Sequence, residues 1–235
     1  MANHGDISVQ EHDPRGAYLV LHGGGGPRTV AAFGALLADR RQARVLVPTH
    51  PGFAGTPRPD ALDSVAALAR AYVALLERLD LRGVTVIGNS IGGWIAAEMA
   101  LAGGGRIRRA VLVDAAGFVV DGEPPANVST FSPQELAAHS FHDPVKFAPQ
   151  PGGPKPDLTA LVAYAGRTMS DPTLLGRVRA IDLPVHVVWG ASDRIVTPAY
   201  GRAVAAAIPG ATFAVLPESG HLPQLETPER LLAEI

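Results

Sequence analysis

The chain has 235 residues, 47% of them hydrophobic, with 20 Lys+Arg against 22 Asp+Glu, a formal net charge of −2 and no cysteine. That composition belongs to a globular rather than a disordered chain and gives no electrostatic reason to bind nucleic acid. It also excludes disulfides, thiolate metal sites and a cysteine nucleophile. The opening Met1 to Gly16 is polar and acidic with no signal-like apolar region, and no apolar run reaches bilayer length. The expectation is therefore a soluble cytoplasmic protein of one domain, with no nucleic-acid or membrane partner and an open oligomeric state.

In chain order, short β-rich runs alternate with helical segments. Ile7–Gln10 has the pattern of an antiparallel edge strand, and Ala17–Leu21 (AYLVL) reads as the first core strand. A helix capped by Thr29 is expected through Arg40, with Phe33, Leu36 and Leu37 on its buried face; Val45-Leu46-Val47 is the next strand. Asp63 or Ser64 caps a helix in which Val65, Leu68, Tyr72, Leu75 and Leu79 keep helical spacing. Val84–Ile87, Arg109–Val113, Val185–Trp189 and Thr212–Leu216 complete the strands. Short, continuously apolar strands suit a parallel sheet covered on both faces, with helices as right-handed crossovers. Arg40-Arg41 and Arg106–Arg109 read as solvated loop charges.

From about Phe118 to Gly176 this rhythm stops. Ser132-Pro133-Gln134-Glu135 is a capping box, Asp143-Pro144 and Asp171-Pro172 are further helix starts, and Asp157 is placed to cap Leu158–Ala165. Pro149 to Pro156 is a proline- and glycine-rich connector. A mainly helical insertion between core strands reads as a mobile lid over one end of the sheet. The expected division is 1–117 core, 118–176 cap and 177–235 core.

The chemistry concentrates at Gly88-Asn89-Ser90-Ile91-Gly92, between the 84–87 strand and a helix through Ala102. A G-x-S-x-G turn in that context is a nucleophile elbow, which holds a serine hydroxyl above the sheet. A serine needs a base. His221, in Ser219-Gly220-His221-Leu222-Pro223 after the last strand, lies on the same edge, since parallel strands all end on one side. Asp193, in Trp189-Gly190-Ala191-Ser192-Asp193, follows the preceding strand and is placed to orient the imidazole. His22 is expected to shape its loop and His50 to be structural; His139 and His142, a helical turn apart, read as surface or cap residues without a third metal ligand. Phe131, Phe141 and Phe147 read chiefly as cap core. The glycine run after His22 has neither a G-x-G-x-x-G register nor a following G-K-[ST], so it is not a phosphate loop.

The order Ser90, Asp193, His221, together with His22-Gly23-Gly24-Gly25-Gly26, Pro51-Gly52-Phe53, G-N-S-I-G-G, W-G-A-S-D-R-I-V and G-H-L-P-Q-L-E-T-P-E, resembles the α/β-hydrolase superfamily over nearly the whole chain. The resemblance implies an α/β fold with a mostly parallel sheet and a helical cap insertion. It implies an oxyanion hole from the N–H of Ile91 and that of Gly24, with Gly25 as the alternative, and no metal or organic cofactor. Asp114 also sits where some members carry the acid, and so rivals Asp193. The activity implied is hydrolysis of a small-molecule ester, thioester or lactone through an acyl-serine. Carbon–carbon bond hydrolysis of a dienoic diketo acid is the alternative: Leu222 stands where such enzymes often carry tryptophan, and Arg167 is the lone cap arginine for a substrate carboxylate. A non-catalytic ligand-binding protein is a third reading.

Overall fold

The structure, a computed structural model, describes residues 16–103, 105–147 and 158–235. The edge strand expected at Ile7–Gln10, the 149–156 connector and the Asp157 cap lie outside these residues. Six parallel strands form one sheet among the described residues: β1 (Ala17–Leu21), β2 (Arg44–Leu46), β3 (Val84–Asn89), β4 (Ile107–Val113), β5 (Val185–Gly190) and β6 (Thr212–Leu216), in the order β2-β1-β3-β4-β5-β6. Leu19 is in register with Leu46 on one side and Val86 on the other, and Val86 with Ala110. The order reverses between β1 and β3. Their carboxyl ends therefore flank a crevice, where open α/β sheets place their ligands.

Period-2 alternation divides the strand side chains between two cores. Leu19, Leu21, Val84, Val86, Leu112 and Val187 face α2 (Val65–Arg78) and α3 (Ile91–Ala102). Tyr18, Val20, Ile87, Val111, Val113 and Val188 face α1 (Arg28–Arg41) and the closing helix 228–233. The Ser64 hydroxyl caps α2 by accepting from Ala67 N–H at 3.2 Å. Thr29 is not a cap. α1 begins at Arg28 behind Pro27, and Thr29, within its first turn, donates its hydroxyl to Gly26 O at 2.7 Å; a proline can open a helix because the first N–H lacks a partner anyway. Nor are Arg106–Arg109 loop charges: β4 starts at Ile107, Arg106 reaches Asp80 at 2.8 Å, and Arg109 donates to Glu234 O and Ile235 O.

Between β4 and β5 no described residue joins the sheet. This segment carries α4 (Pro133–Ser140), α5 (Leu158–Ala165) and α6 (Leu174–Arg177). The capping box at Ser132 and Glu135 forms in both directions, whereas Asp143-Pro144 makes a turn closed by Lys146 N–H on Asp143 Oδ1. The base of the segment is stitched together by Asp171 N–H to Gly117 O at 2.8 Å. The hydroxyl of Tyr200, on α7 (Pro198–Ala207), both donates to Phe118 O and accepts from Phe118 N–H. Beside it, the Arg177 guanidinium makes two bonds to Glu98, at 2.8 and 2.6 Å, and one to Asp171 at 2.6 Å.

The Glu98 side chain is buried on α3 and Arg177 is partly open to water. Removing the guanidinium leaves a buried carboxylate without its partner. Arg177→Met is expected to cost about 1–3 kcal/mol, read as a fall of several degrees in Tm, and Glu98→Gln in the same chain should recover part of it. Unchanged thermal denaturation of Arg177→Met would show that this ion triad contributes nothing.

Candidate active site

The elbow forms because nothing larger than glycine fits around it. A Cβ on Gly88 would lie 2.0 Å from Gly92 O, and one on Gly92 would lie 2.3 Å from Leu21 O. Helix α3 can therefore start in direct contact with the ends of β1 and β3. Ser90 takes the resulting strain, with φ 58° and ψ −120°, a conformation that costs an L residue on the order of 1–3 kcal/mol. Its backbone is held from three sides: its N–H donates to Val113 O, and its carbonyl accepts from Gly93, Trp94 and Ala116 N–H. The side chain stands half-exposed at the carboxyl edge of the sheet.

Asp193 and His221 meet above that edge. His221 Nδ1 and Asp193 Oδ2 are 2.8 Å apart, and Asp193 Oδ1 accepts from Ile195 N–H at 2.8 Å and Val196 N–H at 3.2 Å. A carboxylate beside Nδ1 fixes the proton there, so Nε2 presents its lone pair. Of the two acids left open by the sequence, Asp193 is thus the one bonded to the imidazole. Asp114 is completely buried at the end of β4 and its Oδ1 accepts from Gly190 N–H at 2.8 Å. Burial pushes its carboxyl well above the usual range, the Asp193 charge adds to that, and the Gly190 N–H opposes it.

Asp114, Asp193 and His221 each bring one ligand-type atom within 4.8 Å of the others. The Asp193 oxygens are already engaged by two N–H groups and an imidazole, an arrangement compatible with an acid–base relay. The two other histidines considered have separate partners. His139 stacks on Phe131 and bonds Glu135 O, and His142 bonds Ser192 Oγ. Phe141 and Phe147 stack on each other with centroids 5.5 Å apart.

The glycine loop after β1 touches the elbow directly. A Cβ on Gly23 would be 3.0 Å from the Ser90 Cβ. Gly24 is the next residue along, and its N–H and that of Ile91, the first of α3 and without an intrahelical acceptor, are the candidate oxyanion donors. Gly25 lies farther round the turn, with its α-carbon against the Thr29 methyl. Buried histidines set the loop's shape. Tyr72 Oη donates to His50 Nδ1 at 2.6 Å and His50 Nε2 donates to His22 O at 3.0 Å; His50 N–H donates to His22 Nε2, and His22 Nδ1 donates to Gly23 O at 2.7 Å. Only neutral rings satisfy this pattern, because each His donates from one nitrogen and accepts at the other. Burial lowers His22 from 6.5 to about 4, and burial plus the neighbouring His22 lowers His50 well below its ordinary value.

Several positioning residues escaped the sequence reading. Buried Asn89 donates from Nδ2 to His221 O at 2.9 Å and to Val113 O at 3.3 Å, and its Oδ1 accepts from Gln224 Nε2 at 3.1 Å. The residue before Ser90 thus holds the His221 loop. Glu226 accepts from Gly220 N–H on one oxygen and from His142 and Asp143 N–H on the other. His221 N–H donates to Ser140 O at 2.7 Å, and Arg194 N–H to His139 O. The end of α4 is therefore tied to the loops carrying Asp193 and His221. On the other flank, Leu161 of α5 packs on the Gly24 α-carbon and Tyr164 Oη donates to Pro51 O at 2.8 Å. The signal for Asn89 was a buried amide at the carboxyl end of a strand otherwise apolar but for Thr85; Gln224 and Glu226 were already within the G-H-L-P-Q-L-E segment.

A model of the alpha/beta hydrolase family matches residues 18–234. An uncharacterized protein of Mycobacterium tuberculosis is 26% identical over 92% of this chain and 73% of its own length. A 2-hydroxymuconate semialdehyde hydrolase of Pseudomonas putida is 25% identical over 90% of this chain and 83% of its own. Among solved structures, a thermophilic esterase from Thermogutta terrifontis superposes with a TM-score of 0.74, at 24% identity, over 93% of this chain and 87% of its own.

The neutral His22–His50 pair predicts an acid-sensitive fold. In the unfolded chain both rings take up protons below about pH 6.5, while the folded His22 resists to about pH 4. The unfolded state then binds more protons, so stability must fall as pH drops from about 6.5 toward 4. Urea denaturation across that range should show the loss, and His50→Gln should make it shallower. A wild-type profile that is flat over this interval would contradict the assignment.

Proposed function

The chain belongs to the alpha/beta hydrolase family, and we propose that it is a serine hydrolase cleaving a small-molecule carboxylic ester, thioester or lactone through an acyl-serine. The observation that carries this reading is the strained Ser90 elbow on the same sheet edge as the Asp193–His221 pair, with Asn89 linking the two. His221 Nε2 takes the Ser90 proton as Oγ bonds to the carbonyl carbon, and the Gly24 and Ile91 N–H groups hold the oxyanion. The intermediate collapses, the leaving oxygen or sulfur departs with the proton from His221, and the acyl group stays on Ser90. Water, deprotonated by the same nitrogen, cleaves that ester and restores the hydroxyl. Asp193 remains ionised throughout and steadies the imidazolium. Every proton in this cycle passes through His221, so no step calls on a metal or organic cofactor.

Residues 118–176 act as the cap in this reading. Leu161 and Tyr164 roof the glycine loop and Pro51, and the end of α4 braces the relay. The small-molecule substrate enters between them. No helix of the described residues is long and apolar enough to cross a membrane. The 2-hydroxymuconate semialdehyde hydrolase relative keeps carbon–carbon hydrolysis as a second reading. Arg167, the cap arginine expected to bind a substrate carboxylate, is exposed beyond α5.

A fluorophosphonate should add one adduct, on Ser90, and Ser90→Ala should abolish both labelling and turnover of short chromogenic esters. Asp193→Asn should fold normally and lower kcat by about three to four orders of magnitude through loss of tautomer control. Labelling that persists in Ser90→Ala removes the nucleophile. Turnover of dienoic diketo acids with no turnover of esters, thioesters or lactones favours the second reading.

A further inference from the structure

Behind the Asp193–His221 pair, Asp114 has one oxygen on the Gly190 N–H at 2.8 Å, while the other, Oδ2, is buried without a hydrogen-bond partner. An ionised carboxylate so placed would leave most of its lone pairs unsatisfied out of water, a penalty that buried polar groups rarely bear. The carboxylates acting on it, Asp193 within 4.8 Å and Glu226, are of the same sign, and the imidazole at the same range, His221, is bonded to Asp193 rather than to Asp114. Two carboxylates at such range and out of water disfavour each other's charge, and one proton held between them relieves it. Asp193 is the better site for the charge, since it receives two backbone N–H bonds and the imidazole. We propose that Asp114 is a positioning residue that carries the single proton of an Asp114–Asp193 pair, so that the acid behind His221 is two carboxyls bearing one negative charge.

The inference rests on the relay assigned above, and it gives Asp114 a defined part. As a neutral acid it adds no second charge behind His221. Its hydrogen, on Oδ2, turns toward the Asp193 carboxylate and steadies it from behind. The backbone suits this placement: Asp114 sits at φ 45°, a left-handed conformation that Asp and Asn tolerate better than other side chains. Asparagine at 114 would keep that conformation and the bond to Gly190, and would turn an N–H toward Asp193 where the acid turns its O–H.

The test has a spectroscopic arm that needs no substrate. Infrared spectra of the wild-type protein at pH 7 should contain the C=O stretch of a protonated, buried carboxylic acid, and Asp114→Asn should remove it. In the kinetic arm, the pH profile of ester hydrolysis by Asp114→Asn should be unmoved, because the amide, like the neutral acid, adds no charge behind His221. Asp193→Asn removes the competing charge, so Asp114 ionises and serves His221; that variant should exceed the Asp114→Asn/Asp193→Asn protein by about tenfold or more in kcat, with KM unchanged. The proposal is overturned by a wild-type spectrum without the band, which decides the matter even if no variant folds. It is equally overturned by a band that survives in Asp114→Asn, by a profile displaced to lower pH in that variant, or by equal rates in Asp193→Asn and the double variant. Absence of ester turnover would count against the assigned activity and leave the infrared arm intact.

Discussion

The tight contact between the start of α3 and the ends of β1 and β3 governs the rest of the molecule. Because Gly92 lies against Leu21 O and Gly88 against Gly92 O, the helix enters at the crevice where the strand order reverses. That entry strains Ser90, points the helix N-terminus at the same spot, and brings Gly23 against the serine's own β-carbon. The proposed nucleophile and its candidate oxyanion donors thereby share one rigid corner. Catalytic groups gain most when they need no reorganisation at the moment of reaction.

The proposed base, His221, is brought to that corner by polar bonds spanning much of the chain. Asn89 and Gln224 join the elbow strand to the His221 loop, and Glu226 joins that loop to the end of α4. The Asn89 bonds are buried and the Glu226–Gly220 bond partly buried, where an unmade partner costs more than a made one contributes. The His221 loop accordingly has few alternatives to its observed position. Beneath the glycine loop, the neutral histidines 22 and 50 serve the same end, since every ring nitrogen is committed to a backbone group or to Tyr72.

Much of this arrangement was legible in the sequence. Short apolar runs gave the six strands to within a few residues, and glycines two before and two after Ser90 marked the elbow because that turn admits nothing larger. Chain order placed Asp193 and His221 on its edge. Local patterns carried less where the deciding contact was distant. Asn89 bonds a residue 132 positions away, and no spacing rule anticipates that. Asp114 and Asp193 both follow strand ends, and three-dimensional distance alone shows which faces the imidazole and which lies behind it. Thr29 satisfied the composition of a helix cap, but Pro27 opened the helix two residues earlier than that reading allowed.

The segment between β4 and β5 meets the frame of Ser90, Asp193 and His221 in two different ways. Near Ser140 its main chain bonds that of His221, and a Cβ on Gly220 would lie 2.3 Å from Ser140 O. On α5, by contrast, the contact with the glycine loop is made by the replaceable side chain of Leu161. Mutational drift therefore meets unequal resistance along the segment. Insertions or altered backbone around 137–143 would displace His221, whereas exchanges on α5 leave Ser90, Asp193 and His221 where they are. Under the proposed function, divergence in substrate preference among descendants of this chain should accordingly accumulate on α5, with the reaction itself inherited unchanged.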